Sequence, residues 1–374
     1  MHTGYRTPKS RTLPPGGSLH WGMADTPVSS SRQADVTLPD MSLADAVRAD
    51  DVQAAAALLA GRVHRTALAR SRWLDRTVGC EVVFKCENFQ RVGAFKFRGA
   101  LHALSRLRTQ AGTAGVITYS SGNHAQAVAL AAAELGLRAL VIMPQNAPAI
   151  KRQATQSYLE GAAAGSRVVE YDPATTQREV LGRELAEREG LTLVPPYDHP
   201  HVIAGQGTTG LELIEDADEL DAVFVPCGGG GLLSGVSVAI KAACPRVRVF
   251  GVEPELADDA TRSFRTGRLH TVSNPSTIAD GARTPYLGRY TFPLILRHVD
   301  GMITVSEREI ATACLLLIER LKLVVEPTGA LGLAGLMKQA ARDGFGFRRA
   351  GVVISGGNLD PAMVPQLVRL RDAG

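Results

Sequence analysis

Short apolar runs alternate with longer, helix-patterned stretches along most of this chain. Residues 115–119, 138–143, 167–171 and 191–194 read as strands with helical patterns between them, and the rhythm resumes at 222–226, 247–252 and 350–354. Upstream, 42–59 places alanine and leucine at helical spacing, an extended stretch follows around 64–68, and 81–85 reads as a strand. Steady strand–helix alternation predicts an α/β fold, with parallel sheets covered by helices on both faces. Ser306-Glu307-Arg308-Glu309 is a capping box ahead of an apolar helix over 310–321, and its work is structural.

Three strand-to-helix joins are rich in glycine and small hydroxyl residues. Ser120-Ser121-Gly122-Asn123-His124 follows the 115–119 run and offers hydroxyl, amide and backbone N–H donors at a helix start. Gly228-Gly229-Gly230-Gly231 precedes Leu232; bare backbone there lets successive N–H groups converge on a phosphate, aided by the helix dipole. Ser355-Gly356-Gly357-Asn358 follows the last strand and presents one hydroxyl at its end. Tight strand-to-helix turns need glycine whether or not anything binds, so each loop alone also has a purely structural reading.

Lysine supplies the fourth feature. Lys96 stands between Phe95 and Phe97, where apolar flanks disfavour the ammonium and favour the neutral amine that attacks carbonyls. The plainer reading is a lysine snorkelling from a half-buried strand, with Arg98 doing the same. A desolvated lysine, a phosphate cradle and two polar loops together ask for a phosphorylated carbonyl cofactor.

Over residues 67–370 the chain resembles the serine/threonine dehydratases and serine racemase, pyridoxal-phosphate enzymes of fold type II. The resemblance rests on Glu87-Asn88-Phe89-Gln90, Phe95-Lys96-Phe97-Arg98-Gly99-Ala100, Ser120 to His124, Ala204-Gly205-Gln206-Gly207-Thr208, the four glycines, Glu326-Pro327-Thr328 and Ser355 to Asn358. It implies two domains, each a parallel-rich sheet flanked by helices, with the cofactor in the cleft between them. A small mobile domain over 113–196 and a larger one combining 41–112 with 197–374 are the boundaries expected.

The same resemblance implies that Lys96 carries pyridoxal 5'-phosphate through a Schiff base and serves as general base at Cα. Gly228, Gly229, Gly230, Gly231 and Leu232 would bind the phosphate, Asn123 the ring hydroxyl, Phe95 one ring face and Ser355 the ring nitrogen. Ser120, Ser121, Gly122, Asn123 and His124 would receive the substrate carboxylate, and Ser121 would be the acid/base on the opposite face, which allows a racemase side activity. His124 alone reads as an exposed helix-start histidine and is not assigned a catalytic role. Glu253, Asp259 and the carbonyl of Ala257 match a racemase segment that binds Mg2+ or another divalent cation; the alternative is that Asp258 and Asp259 simply begin a helix.

The activity implied is a threonine/serine ammonia-lyase yielding 2-oxobutanoate or pyruvate, with serine racemase and threo-3-hydroxyaspartate dehydratase as alternatives. Pro196-Tyr197-Asp198, where the racemases carry proline-asparagine, tilts the reading toward threonine and serine. Gly93-Ala94 stands where many relatives carry Gly-Ser, with little effect expected. A dicarboxylate substrate would demand a further basic group in the pocket, Arg178 or another arginine. A homodimer is expected. The chain ends soon after Asn358, so no appended domain for feedback control is expected.

Composition narrows the rest. A net charge of +4 without any Lys/Arg block, and 5% aromatic residues, argue against a nucleic-acid surface. No apolar run reaches the roughly 18 residues that span a bilayer. Cys80, Cys86, Cys227, Cys244 and Cys314 lack paired spacing, which indicates neither a zinc nor a disulfide framework and fits a reducing cytoplasm. Residues 1–40, rich in Pro, Gly, Ser and Thr, read as a disordered extension, with Met23 and Met41 as alternative starts.

Overall fold

The computed structural model describes residues 38–110, 114–120, 122–147, 149–343 and 346–373. The extension expected over residues 1–40 lies outside them, except for 38–40. The strands are β1 (Leu68–Arg70), β2 (Glu81–Cys86), β3 (Val116–Tyr119), β4 (Ala139–Pro144), β5 (Arg167–Tyr171), β6 (Thr192–Leu193), β7 (Ala222–Pro226), β8 (Arg248–Pro254), β9 (Gly301–Val305) and β10 (Arg349–Ile354). They form a six-stranded sheet, ordered β1-β2-β10-β7-β8-β9, and a four-stranded sheet, ordered β5-β4-β3-β6. All neighbours are parallel except β1 and β2, which run antiparallel. The α/β class read from the alternation is the one observed. β9 was not foreseen: its five residues include glycine and threonine, and it is an edge strand butted against the capping box.

Central strands explain the apolar runs. Every residue of β7 is buried. Phe224, Val252, Val352 and Ile354 face Leu331 and Leu336 of the Pro327–Asp343 helix on one side of the sheet. Val223, Val225, Val249 and Val353 meet Leu233 and Val236 of the Gly231–Ala243 helix on the other. Sheets covered on both faces lose the in–out alternation of exposed strands, and each aliphatic side chain so buried contributes about 1.5–3 kcal/mol.

The expected helix over 42–59 is two elements: a 3-10 turn, Met41–Asp45, and the helix Ala49–Leu59, separated by an extended Arg48. The Ser306–Glu309 capping box is present, but its helix passes at Leu317–Leu321 into a π turn that stops at left-handed Lys322. Among the described residues no helix is long and apolar enough to cross a membrane.

Beneath the Lys96–Arg108 helix lies a buried ionic network. Arg98 donates Nε and Nη2 to the two carboxylate oxygens of Glu87, each at 2.8 Å, and Nη1 and Nη2 to Glu212 at 2.6 and 2.8 Å. Lys85 of β2 donates Nζ to Glu212 at 2.6 Å and to the Thr66 carbonyl at 2.8 Å. Arg98 therefore does not snorkel: it is wholly buried and pins the helix to β2 and to the Pro200–Asp216 helix. Burying such charges is tolerable only because every partner is in place.

Candidate active site

The chain turns sharply before Lys96. Val92 and Gly93 both take left-handed backbone angles, φ 56° and 70°, a conformation uncommon for a β-branched residue. The turn is stitched to the loop after β10: Phe95 N–H donates to Ser355 O at 3.1 Å, Gly357 N–H to Gly93 O at 2.9 Å, and Asn358 Nδ2 to Val92 O at 2.8 Å. Lys96 itself opens the Lys96–Arg108 helix rather than sitting in a strand. Its Nζ donates to the Pro196 carbonyl at 2.7 Å and lies 5.0 Å from the Phe95 ring centre. Burial lowers its pKa to about 8 against the opposing pull of Glu326, and the positive end of its own helix acts in the same direction as burial.

A cavity of about 620 Å³ surrounds this amine, lined by Phe95, Asn123, the loop 228–232 and Ser355, with Ser120, Gly122 and His124 at one wall. Gly230, at φ 90°, caps the Gly231–Ala243 helix, so the loop delivers backbone N–H groups where the helix dipole is positive. Side chains are excluded there: a Cβ on Gly229 would lie 2.4 Å from the Tyr197 ring, and one on Gly231 2.6 Å from Gln206 Oε1. Ser355 is 2% exposed and its hydroxyl has no hydrogen-bond partner among the described residues. A lysine amine, a bare anion cradle and a free hydroxyl around one cavity fit a phosphorylated carbonyl cofactor.

Gly122 donates its N–H to Ser120 Oγ at 3.3 Å and precedes the Asn123–Leu135 helix. Ser121 lies outside the described residues. His124 corrects the sequence reading: it is 2% exposed, its Nε2 is 3.2 Å from Val194 O, and burial takes its pKa down to about 3. It is therefore neutral at ordinary pH. Asn123 is held at both ends, donating Nδ2 to Glu326 Oε1 at 2.7 Å and accepting from Asn358 Nδ2 at 2.8 Å.

Sequence reasoning gave Glu326 no role, although a carboxylate directly after Val324-Val325 was the available signal. It is buried, its Oε2 has no partner among the described residues, and burial together with Asp280 raises its pKa to about 7. Three cations also line the cavity: Lys151, Arg178 and Arg283. Cys227 sits at the end of β7 as a buried thiol pushed well above its ordinary pKa, which suits a packing role.

Glu253 and Asp259 come together outside the lining of this cavity, near enough to Cys227 for its thiol to feel both charges. Glu253 accepts the backbone N–H groups of Ala260 and Thr261, and Asp259 begins the Asp259–Thr266 helix with its Oδ2 unpartnered among the described residues. Burial raises the pair to about 8 and about 7, Glu253 also feeling the charge of Asp259. Asp258 instead pairs with Arg262 at 2.8 Å. Among the described residues no three His, Cys, Asp or Glu side chains gather as a metal cluster.

Residues 59–356 match the family model for pyridoxal-phosphate dependent enzyme. An L-threo-3-hydroxyaspartate ammonia-lyase from a Pseudomonas species is 49% identical over 83% of this chain and 95% of its own length. A serine racemase from Schizosaccharomyces pombe is 48% identical over 83% of this chain and 94% of its own. The crystal structure of a T.th. threonine deaminase superposes with a TM-score of 0.76 at 44% identity, covering 84% of this chain and 99% of that one. With the amine, the cradle and the free hydroxyl already placed around one cavity, these matches settle the family: the chain belongs to the pyridoxal-phosphate-dependent enzymes of fold type II.

Proposed function

We propose that the protein is an ammonia-lyase that eliminates the β-hydroxyl of a 3-hydroxy amino acid, with L-threo-3-hydroxyaspartate ahead of L-threonine and L-serine as substrate. The observation that carries the choice is the set of three cationic side chains, Lys151, Arg178 and Arg283, lining the cavity of Lys96. A single carboxylate is served by the start of the Asn123–Leu135 helix, whereas a second carboxylate needs a cation of its own. The Tyr197-Asp198 pair, read from sequence as favouring threonine and serine, supports no such preference. Asp198 spends its carboxylate on the backbone N–H groups of Arg289, Tyr290 and Thr291, and the Tyr197 ring covers Gly229.

When bound, pyridoxal phosphate supplies an electrophilic carbon for an amine and an electron sink for charge developing at Cα. In this reading Lys96 holds it, residues 228–232 bind its phosphate, Phe95 covers one ring face, Asn123 meets the ring hydroxyl and Ser355 the ring nitrogen. An alcohol rather than a carboxylate at that nitrogen leaves the ring a weaker sink, which suits elimination. Lys96, neutral above about pH 8, takes the Cα proton, and the β-hydroxyl takes up a proton and departs as water. The enamine so released tautomerises to an imine, which water hydrolyses, so hydroxyaspartate yields oxaloacetate and ammonia. Ser121 would deliver a proton to the opposite face in any racemisation. Glu253, Asp259 and the Ala257 carbonyl would hold a Mg2+ or similar ion, whose charge would relieve the two facing carboxylates. The part bearing the four-stranded sheet would close over substrate in a cytoplasmic homodimer.

Purified enzyme supplied with pyridoxal phosphate should release oxaloacetate from L-threo-3-hydroxyaspartate with a higher kcat/KM than 2-oxobutanoate from L-threonine or pyruvate from L-serine. Lys96→Ala should lower every rate by about 10⁴-fold or more. A clear preference for threonine would overturn the substrate assignment, and serine racemisation without 2-oxo acid release would overturn the lyase reading.

A further inference from the structure

We propose that Arg283 is the specificity-determining residue that binds the distal carboxylate of the substrate, an inference that rests on the dicarboxylate reading above. Three cations line the cavity, and their charges are not equally available. Lys151 is ion-paired with Asp280. Arg178 is paired with Glu179 at 2.7 Å and lies over the Tyr119 ring at 5.7 Å. Among the described residues Arg283 has no carboxylate within ion-pair distance, and its guanidinium makes one hydrogen bond, from Nε to the Thr277 carbonyl at 2.8 Å.

That single bond matters for geometry. Tying Nε to a backbone carbonyl fixes the plane of the guanidinium and leaves both terminal nitrogens free, the arrangement for two-pronged capture of a carboxylate. The supporting loop is itself held: Gly281 N–H donates to Thr328 Oγ1 at 3.0 Å, and Ala282 is buried at 2% exposure. Arg283 lines the same cavity as Lys96. Its neighbour Thr284 keeps a buried hydroxyl, unpartnered among the described residues and 3.3 Å from where a Cβ on Gly228 of the glycine loop would be. Of the three cations lining the cavity, Arg283 is thus the one without an ion-pair partner among the described residues, and a substrate carrying a second carboxylate supplies that partner.

The test compares kcat/KM for L-threo-3-hydroxyaspartate and for L-serine in the wild-type holoenzyme and in Arg283→Gln, Arg283→Lys and Arg178→Gln. The visible absorption of bound pyridoxal phosphate serves as the check that each variant is loaded. Arg283→Gln should lower the hydroxyaspartate-to-serine ratio by about 100-fold, mainly through KM, and Arg283→Lys should recover part of it. Competitive inhibition by succinate should weaken in parallel. A wild-type enzyme that prefers hydroxyaspartate while Arg283→Gln keeps the same ratio would overturn the assignment of Arg283, as would a larger fall in that ratio with Arg178→Gln. A wild-type enzyme without that preference would instead overturn the dicarboxylate reading.

Discussion

At the scale of single residues, the reactive group is made by position. Lys96 opens a helix, is half-buried at the cavity wall, and sets its amine against a carbonyl and an aromatic face. Its neutral amine should therefore be abundant far below the usual lysine range. Uptake of pyridoxal phosphate by the apoprotein should rise about tenfold between pH 7 and pH 9 and then level off, following a pKa of about 8. An ordinary lysine would keep climbing beyond pH 10, and that profile would contradict the placement described. Lys96, the four glycines and Ser355 were legible in the sequence because each advertises itself locally, by apolar flanks or by a strand-to-helix join. Arg283 was not, and Glu326 showed only as part of a motif with no role attached, because tertiary folding alone brings them to the cavity of the amine. His124 misled for the same reason: helix starts are usually wet, and only the packing against Val194 buries this one.

At the scale of elements, the site depends on helices that approach more closely than side chains normally allow. The Pro200–Asp216 helix crosses the Gly231–Ala243 helix at Gly207 and Gly235, and a Cβ on Gly235 would stand 2.3 Å from Ile203 O. The same helix meets the lysine helix at Gly205, where a Cβ would lie 2.7 Å from Arg98 O. These contacts set the glycine loop, at the start of one helix, against Lys96, at the start of another. Gly235→Ala should force the pair apart, costing about 1–3 kcal/mol of stability and weakening pyridoxal-phosphate affinity beyond what the stability loss predicts. Chemical denaturation and cofactor titration of the same variant separate the two effects; unchanged affinity would show that helix spacing does not set the cradle. The sequence pattern pointed to the helix that starts near Leu232 but read the lysine segment as a strand. It did not show how close these helices run, since a glycine in a helix reads the same whether it faces a neighbour or solvent.

At the scale of the whole molecule, enclosing polar groups makes the fold sensitive to acid. His102 is 1% exposed, and its Nδ1 is 2.7 Å from the His201 carbonyl. Burial lowers its pKa from 6.5 to about 4, with the neighbouring His201 and Arg106 also disfavouring the charged ring. The sign follows directly: between pH 6.5 and about 4 the unfolded chain takes up a proton at His102 that the folded chain refuses. Its contribution is complete above 6.5 and drains away as pH falls through that window. Glu253, Asp259 and Glu326 titrate in the opposite sense, since their raised pKa values let the folded state hold protons that the unfolded one has lost. Total stability against pH therefore mixes the two, whereas a difference between variants isolates one. His102→Gln keeps a donor for the His201 carbonyl and removes the titration. Wild type should lose stability relative to this variant by on the order of 3 kcal/mol as pH drops from about 7 to about 4, measured by urea unfolding at each pH. A difference that stays flat over that range would mean that the folded protein protonates His102 as readily as the unfolded chain does, and that the contact between the Lys96–Arg108 helix and the start of the Pro200–Asp216 helix opens to water in solution.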